Sequence, residues 1–262
     1  MKMRACAVAG MFYPGDRPHL EQLLTKFFRT STAKGDACGI VSPHAGYIYS
    51  GQIAADAFST ISPDFSGTFV VIGPSHRGYL TSLSEIPWET PLGPVEPDVG
   101  FIKALDIDVD EASHRDEHSL EVQMPFIRYR FPNAKVVPVM MGHQDPRSAR
   151  TLAEKVVSAT RQTGRDVRIV ASSDFSHYVT EQKAMDGDLY AIEALKGLDV
   201  QEFYRRIEEK GLSACGYGPI AAMVMACGEM GAKAAKLIRY ATSGDVTGDR
   251  REVVGYAAIA VM

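Results

Sequence analysis

Short apolar runs rich in β-branched residues recur along this chain, and three of them end alike. Residues 40–47 read IVSPHAGY, 69–78 read FVVIGPSHRG and 168–178 read RIVASSDFSHY. Each begins as a continuous apolar run, the pattern of a parallel strand buried on both faces. Each then breaks into small residues and presents a histidine: His44, His76 and the pair Asp174/His177. Residues 135–141 (KVVPVMM) and 253–262 (VVGYAAIAVM) predict two further buried strands, and 234–240 another, although Pro138 sits awkwardly in a fully hydrogen-bonded position. Between the runs the apolar spacing changes to that of helices. Over 18–29, Leu20, Leu23, Leu24, Phe27 and Phe28 share one face, with Asp16 as N-cap and Pro18 in the first turn. Further helices are predicted through Ala54 to Phe58 and over 99–105, 148–160, 180–194, 200–210 and 221–229. Residues 5–12 read as a first strand or extended segment, and 77–92 as a loop-rich region with room for an edge hairpin near Trp88. Strands alternating with helices predict an α/β protein: one domain over 1–262, with a mixed, largely parallel sheet and helices on both faces. Ligands of such open sheets bind beyond the carboxyl ends of the strands. Three strand ends carrying histidine therefore predict a convergent metal or acid/base centre.

Composition narrows the setting. The 262 residues are 45% hydrophobic and 23% charged, ordinary for a globular protein with a substantial core. A net charge of −4 without long single-sign blocks favours neither nucleic acid nor an anionic membrane as partner. No apolar run approaches the roughly 18 residues of a membrane span, and the apolar stretch at the N-terminus is too short for a signal peptide. The four cysteines, Cys6, Cys38, Cys215 and Cys227, form no CxxC pair. They fit a reducing, cytoplasmic setting better than a disulfide scaffold.

For metal ligation, His44 and His76 need a third ligand, and Cys215 is the best placed. It lies in a glycine-rich turn before a helix, where the dipole and free N–H groups lower a thiol pKa. Two histidines and a cysteine resemble an open catalytic set with a vacant position; taken singly, each is more often a packing residue. Asp174 and His177 arrive within one turn of each other, so His177 is a candidate general acid/base oriented by Asp174. The alternative for Asp174 is a local N-cap, with Ser172 and Ser173 bonding nearby. His118 and Glu121, three apart, share a helix face and line either a pocket or solvent. His19, His114 and His143 read as surface or loop residues. No P-loop, GxGxxG or nucleophile elbow is present.

Taken in order, AGMFYPGD, SPHAGYIYSGQIAADAF, VVIGPSHRG, the Trp88 to Val95 region, DEHSLEVQMPF, SSDFSHY, the Cys215 turn with Gly218-Pro219-Ile220, and VVGYAAIA span nearly the whole chain. They resemble the Memo family, in the archaeal and bacterial branch often called AmmeMemoRadiSam system protein B. The resemblance implies an α/β fold similar to the class III extradiol dioxygenases and a metal site of His44, His76 and Cys215. Asp174 and His177 would be its other pocket residues, and His118 and Glu121 fall in a family motif. It implies iron(II) as the metal, with copper possible, and a non-haem oxidoreductase or dioxygenase-like activity on an unknown small molecule. The alternatives are a peptide- or partner-binding module and an iron- or copper-sequestering protein. AMMECR1-like and radical SAM proteins are the partners the resemblance suggests. A thiolate ligand departs from the dioxygenase pattern and puts ring cleavage in doubt.

Overall fold

The structure, a computed structural model, describes residues 2–262. At its centre four parallel strands run side by side: β4 (Lys135–Met141), β2 (Thr68–Pro74), β5 (Val167–Ser172) and β1 (Gly39–Ser42). Antiparallel strands flank this core. β3 (Ser82–Leu83) pairs with β4, and β8 (Val253–Val261) pairs with β1. β6 (His177–Val179) and β7 (Ala235–Thr242) both add to β8, completing a mixed sheet of eight strands.

Alternation along the strands sorts side chains into two cores. Val70 and Ile72 of β2, Ile169 and Ala171 of β5, and Val41 of β1 face one core. It is covered by α7 (Pro146–Thr163), α8 (Glu181–Leu195), α9 (Val200–Lys210) and α10 (Tyr217–Glu229). Phe69, Val71, Val170 and Ile40 face the other, under α1 (Arg17–Thr30) and α2 (Tyr47–Phe58). Burial on both faces explains why these runs are continuously apolar. The register is what places the site. Ser42 pairs with Ser172, and Ile72 with Ala171, so β1, β5 and β2 finish at one level. His44, Asp174 and His76 therefore leave three neighbouring strand ends together.

Asp16 caps α1 as expected, accepting from His19 N at 3.2 Å. Pro138 is accommodated simply. Its carbonyl accepts from Ser84 N at 3.3 Å, so its nitrogen also faces the β3 side, where the partner strand is only two residues long. The expected strand over 5–12 does not form. The N–H groups of Ala7 and Val8 are taken by the Glu121 carboxylate instead of a ladder, and the segment is a strap of turns with Gly10 at φ +82°. Trp88 and Val95 exchange both backbone bonds, a minimal version of the expected hairpin. His114, expected at the surface, is fully buried, with Nε2 3.2 Å from Ser82 O. Among the described residues no helix is long and apolar enough to cross a membrane.

Candidate metal centre

Three imidazoles converge above the strand ends. His44, His76 and His118 each offer a ring nitrogen, all within 4.8 Å of one another. His76 and His118 stack with centroids 4.4 Å apart; His44 meets them edge-on at 5.3 and 5.5 Å. His118 is the first residue of a one-turn helix, α5 (His118–Glu121), and the Phe12 ring lies against it at 5.1 Å. His44 is buried, while His76 and His118 are partly open to solvent.

Hydrogen bonds fix which nitrogen two of the rings present. Ser172 Oγ donates its one proton to Ser119 O at 2.7 Å. Towards His44 Nδ1, 2.9 Å away, it can only accept, as it does from Gln123 Nε2. His44 therefore carries its proton on Nδ1 and keeps the Nε2 lone pair as an acceptor or ligand atom. Glu117 does the same for His76: one carboxylate oxygen accepts from Nδ1 at 2.9 Å, the other from the His76 backbone N–H at 2.9 Å. Burial raises the Glu117 carboxyl, but the His76 imidazole and the Ser119 and His76 N–H groups outweigh it and hold the group at about 2. An acceptor behind a ring, fixing its tautomer and orientation, is the usual support of a metal-binding histidine. Burial, reinforced by the neighbouring rings of His118 and His76, drives the His44 pKa well down, and burial beside His76 lowers that of His118. Three imidazole nitrogens gathered this closely can be shared by one cation. The donor set fits a first-row transition metal, for which imidazole is a suitable ligand.

The other expected residues gather around His44. Cys215 Sγ lies 3.2 Å from His44 Nε2 and accepts the Asp174 N–H at 3.2 Å. Asp174 accepts the backbone N–H of His44 at 2.8 Å, so it is no local N-cap, and burial raises its carboxyl to about 6. The glycine-rich turn does not activate the thiol as expected. Cys215 sits just before α10, but burial, with the Asp174 carboxylate adding to it, pushes the thiol well above its ordinary range. A bound cation would reverse that balance, since metal coordination deprotonates a thiol. His177 is half-exposed. Its Nδ1 donates to Ser213 O at 2.9 Å and its backbone N–H to Ser213 Oγ at 2.8 Å, which again leaves Nε2 free. The next residue, Tyr178, holds a left-handed φ of +55° where the register between β6 and β8 shifts, a strained backbone position beside the site.

A model of the Memo-like protein family matches residues 4–260. A "MEMO1 family protein" of Methanococcoides burtonii is 47% identical, the alignment covering 99% of this chain and 100% of the relative. Others so named, from Archaeoglobus fulgidus and Methanopyrus kandleri, are 43% and 38% identical, each over 98% of both chains. The chain belongs to the Memo family.

Within this Memo chain the largest departure from the sequence reading is the split of His118 from Glu121. His118 joins the imidazole cluster. Glu121 is fully buried and is engaged by the N-terminal strap: Arg4, the N–H groups of Ala7 and Val8, and Tyr13 Oη at 2.7 Å. It anchors residues 4–13 against α5 and so holds Phe12 beside His118. Sequence reasoning missed Glu117, Ser172 and Gln123. Glu117 had a signal, a carboxylate directly before a histidine at a helix start. Ser172 and Gln123 had none, because their partners lie 128 and 49 residues away along the chain.

Proposed function

We propose that this Memo-family chain is a non-haem metal-dependent oxidoreductase acting on a small organic molecule, with iron(II) as the resident ion and copper as the alternative. The observation that carries this reading is the cluster of three imidazole donors, two of them with Nδ1 engaged by fixed acceptors. His44, His76 and His118 would hold the ion through ring nitrogens, with Cys215 beside His44 as a further donor. A bound iron or copper ion would supply Lewis acidity and one-electron exchange. The chain's own residues do the rest. Glu117 and Ser172 keep two rings in the binding tautomer. Asp174 fixes the His44 backbone and spaces it from the Cys215 turn. His177, held through Nδ1 and open to solvent, takes or gives a proton at Nε2.

The test is elemental mass spectrometry of anaerobically purified protein, wild type against His44→Ala, His76→Ala and His118→Ala. Near-stoichiometric iron or copper in wild type, lost in all three variants, supports the centre. Little metal after anaerobic reconstitution with iron(II) and copper(I) overturns it. If metal is bound and His177→Ala leaves every turnover assay unchanged, the oxidoreductase reading gives way to metal sequestration.

A further inference from the structure

Two cysteines outside the metal centre lie together. Cys38, half-buried, directly precedes β1, and Cys227, fully buried, lies on the last turn of α10. Residue 39 is glycine, and a Cβ there would stand 2.6 Å from Cys227 Sγ. Bare backbone at that position is what lets the α10 thiol reach the chain beside Cys38. Cys38 packs on the core cluster that contains Cys227, and the close approach of Cys227 Sγ to Gly39 sets the two side chains beside each other. Cys38 Sγ also reaches Val261 O of β8 at 3.3 Å.

The pair is electrostatically unequal. The neighbouring Cys227 thiol, the Cys38 backbone N–H and Arg168 bring the Cys38 thiol below its ordinary value against the opposite pull of burial. Cys227 is raised by the neighbouring Cys38 and by burial. Arg168 stands on the neighbouring strand, where Ile169 N bonds Cys38 O at 2.9 Å, and its buried Nε has no hydrogen-bond partner among the described residues. One thiol is thus the better nucleophile and more accessible, and the other is a sheltered proton donor, the division of labour found in reactive cysteine pairs.

We propose that Cys38 and Cys227 form a redox-active dithiol that a hydroperoxide converts to an intramolecular disulfide, Cys38 reacting first. The Cys38 thiolate attacks one peroxide oxygen, the O–O bond breaks, and an alcohol (water, from hydrogen peroxide) leaves with a proton. Cys227 sulfur then displaces the hydroxyl of the Cys38 sulfenic acid as water and the S–S bond forms. Two thiols lose two electrons and two protons, and the hydroperoxide gains both. The two sulfurs would have to close to about 2.05 Å, and residue 39 of β1 carries no Cβ to keep them apart. The bond would join the N-terminal end of β1 to the C-terminal end of α10, opposite the ends that lead to His44 and Cys215. It would clamp that strand to that helix without entering the metal centre, and it stands whether or not the metal reading does.

The experiment treats the full-length, chelator-stripped protein with hydrogen peroxide, alkylates it in denaturant and maps peptides without reduction. The chain has four cysteines. Alkylated thiols are expected to fall by two, with one cross-linked peptide pair joining residues 38 and 227, reversed by dithiothreitol. Cys38→Ser is expected to abolish the cross-link. Cys227→Ser, or Cys227→Ala should the buried hydroxyl unfold the chain, is expected to let Cys38 accumulate added oxygen. In wild type, oxygen added to Cys38 without a cross-link, a cross-link to Cys6 or Cys215, or both thiols remaining alkylatable while others oxidise would each overturn the proposal.

Discussion

Replacing Glu117 by glutamine tests whether the metal centre is set by its hydrogen-bond frame. One Glu117 oxygen accepts from His76 Nδ1 and Ser119 N, and the other from His76 N, all at 2.9 Å. Glutamine has a single acceptor oxygen. In one orientation its NH2 faces the backbone N–H of His76, and in the other it faces Nδ1 and forces the ring into the wrong tautomer. A buried N–H left unpaired costs about 1–3 kcal/mol, and loss of a support behind a metal-binding histidine typically lowers affinity about 10- to 100-fold. Glu117→Gln is therefore expected to weaken iron(II) and zinc(II) binding about 10- to 100-fold, roughly 1.4–2.7 kcal/mol. The readout is anaerobic competition against a chromophoric chelator, with a thermal melt to show that the variant is folded. Affinities within twofold of wild type in a folded variant would refute the reasoning. The same carboxylate predicts a pH effect in metal-free protein. Its pKa is depressed from 4.5 to about 2, so its contribution is complete above pH 4.5 and is lost as pH falls towards 2. In full it amounts to about 3 kcal/mol. In denaturant titrations from pH 6 to 2, wild type should lose stability over that window and Glu117→Gln should lose less; parallel curves would count against it.

Other perturbations separate neighbouring roles. Ser172→Ala removes the acceptor behind His44 and is expected to lower metal affinity about tenfold, seen in the same chelator competition; an unchanged constant would show that the ring needs no such lock. Glu121→Ala strips buried Arg4 of its carboxylate partner, leaving its charge to backbone carbonyls, and leaves two strap N–H groups unpaired. It is expected to cost about 3–5 kcal/mol in denaturant unfolding, and a loss below about 1 kcal/mol would refute the anchoring role. Metal removal from wild type is expected to lower its melting temperature, because the ion binds the folded state alone, and equal melts with and without ion would contradict a preformed centre.

Much of the fold was legible because the strands are buried on both faces. Continuous runs such as Phe69 to Ile72 have one good reading, and the breaks after them mark the strand ends that carry His44, His76 and Asp174. The N-terminal strap was misread because its donors bond to a side chain more than a hundred residues away, a partner no local pattern encodes. The helical spacing of His118 and Glu121 was read correctly but did not reveal that one faces metal-type ligands and the other a buried arginine. The thiol of Cys215 went the other way from the local expectation because burial, invisible in a glycine-rich turn, outweighs a helix end.

The placement of β8 has a consequence for how the molecule is made. This strand follows every other strand in the chain, yet it lies against β1, Val41 opposite Ile259, across more than 200 residues of sequence. Its Gly255 also bonds both Phe175 N and Ser176 O, tying down the loop between Asp174 and His177. A nascent chain on the ribosome therefore carries β1 with an open edge, and the loop leading to His177 has no backstop until residues 253–261 emerge. Pairings this distant slow folding, and an unpaired strand edge invites association with other chains. Synthesis of this protein should therefore be more sensitive to stalling or trimming near residue 253 than the loss of one strand alone suggests.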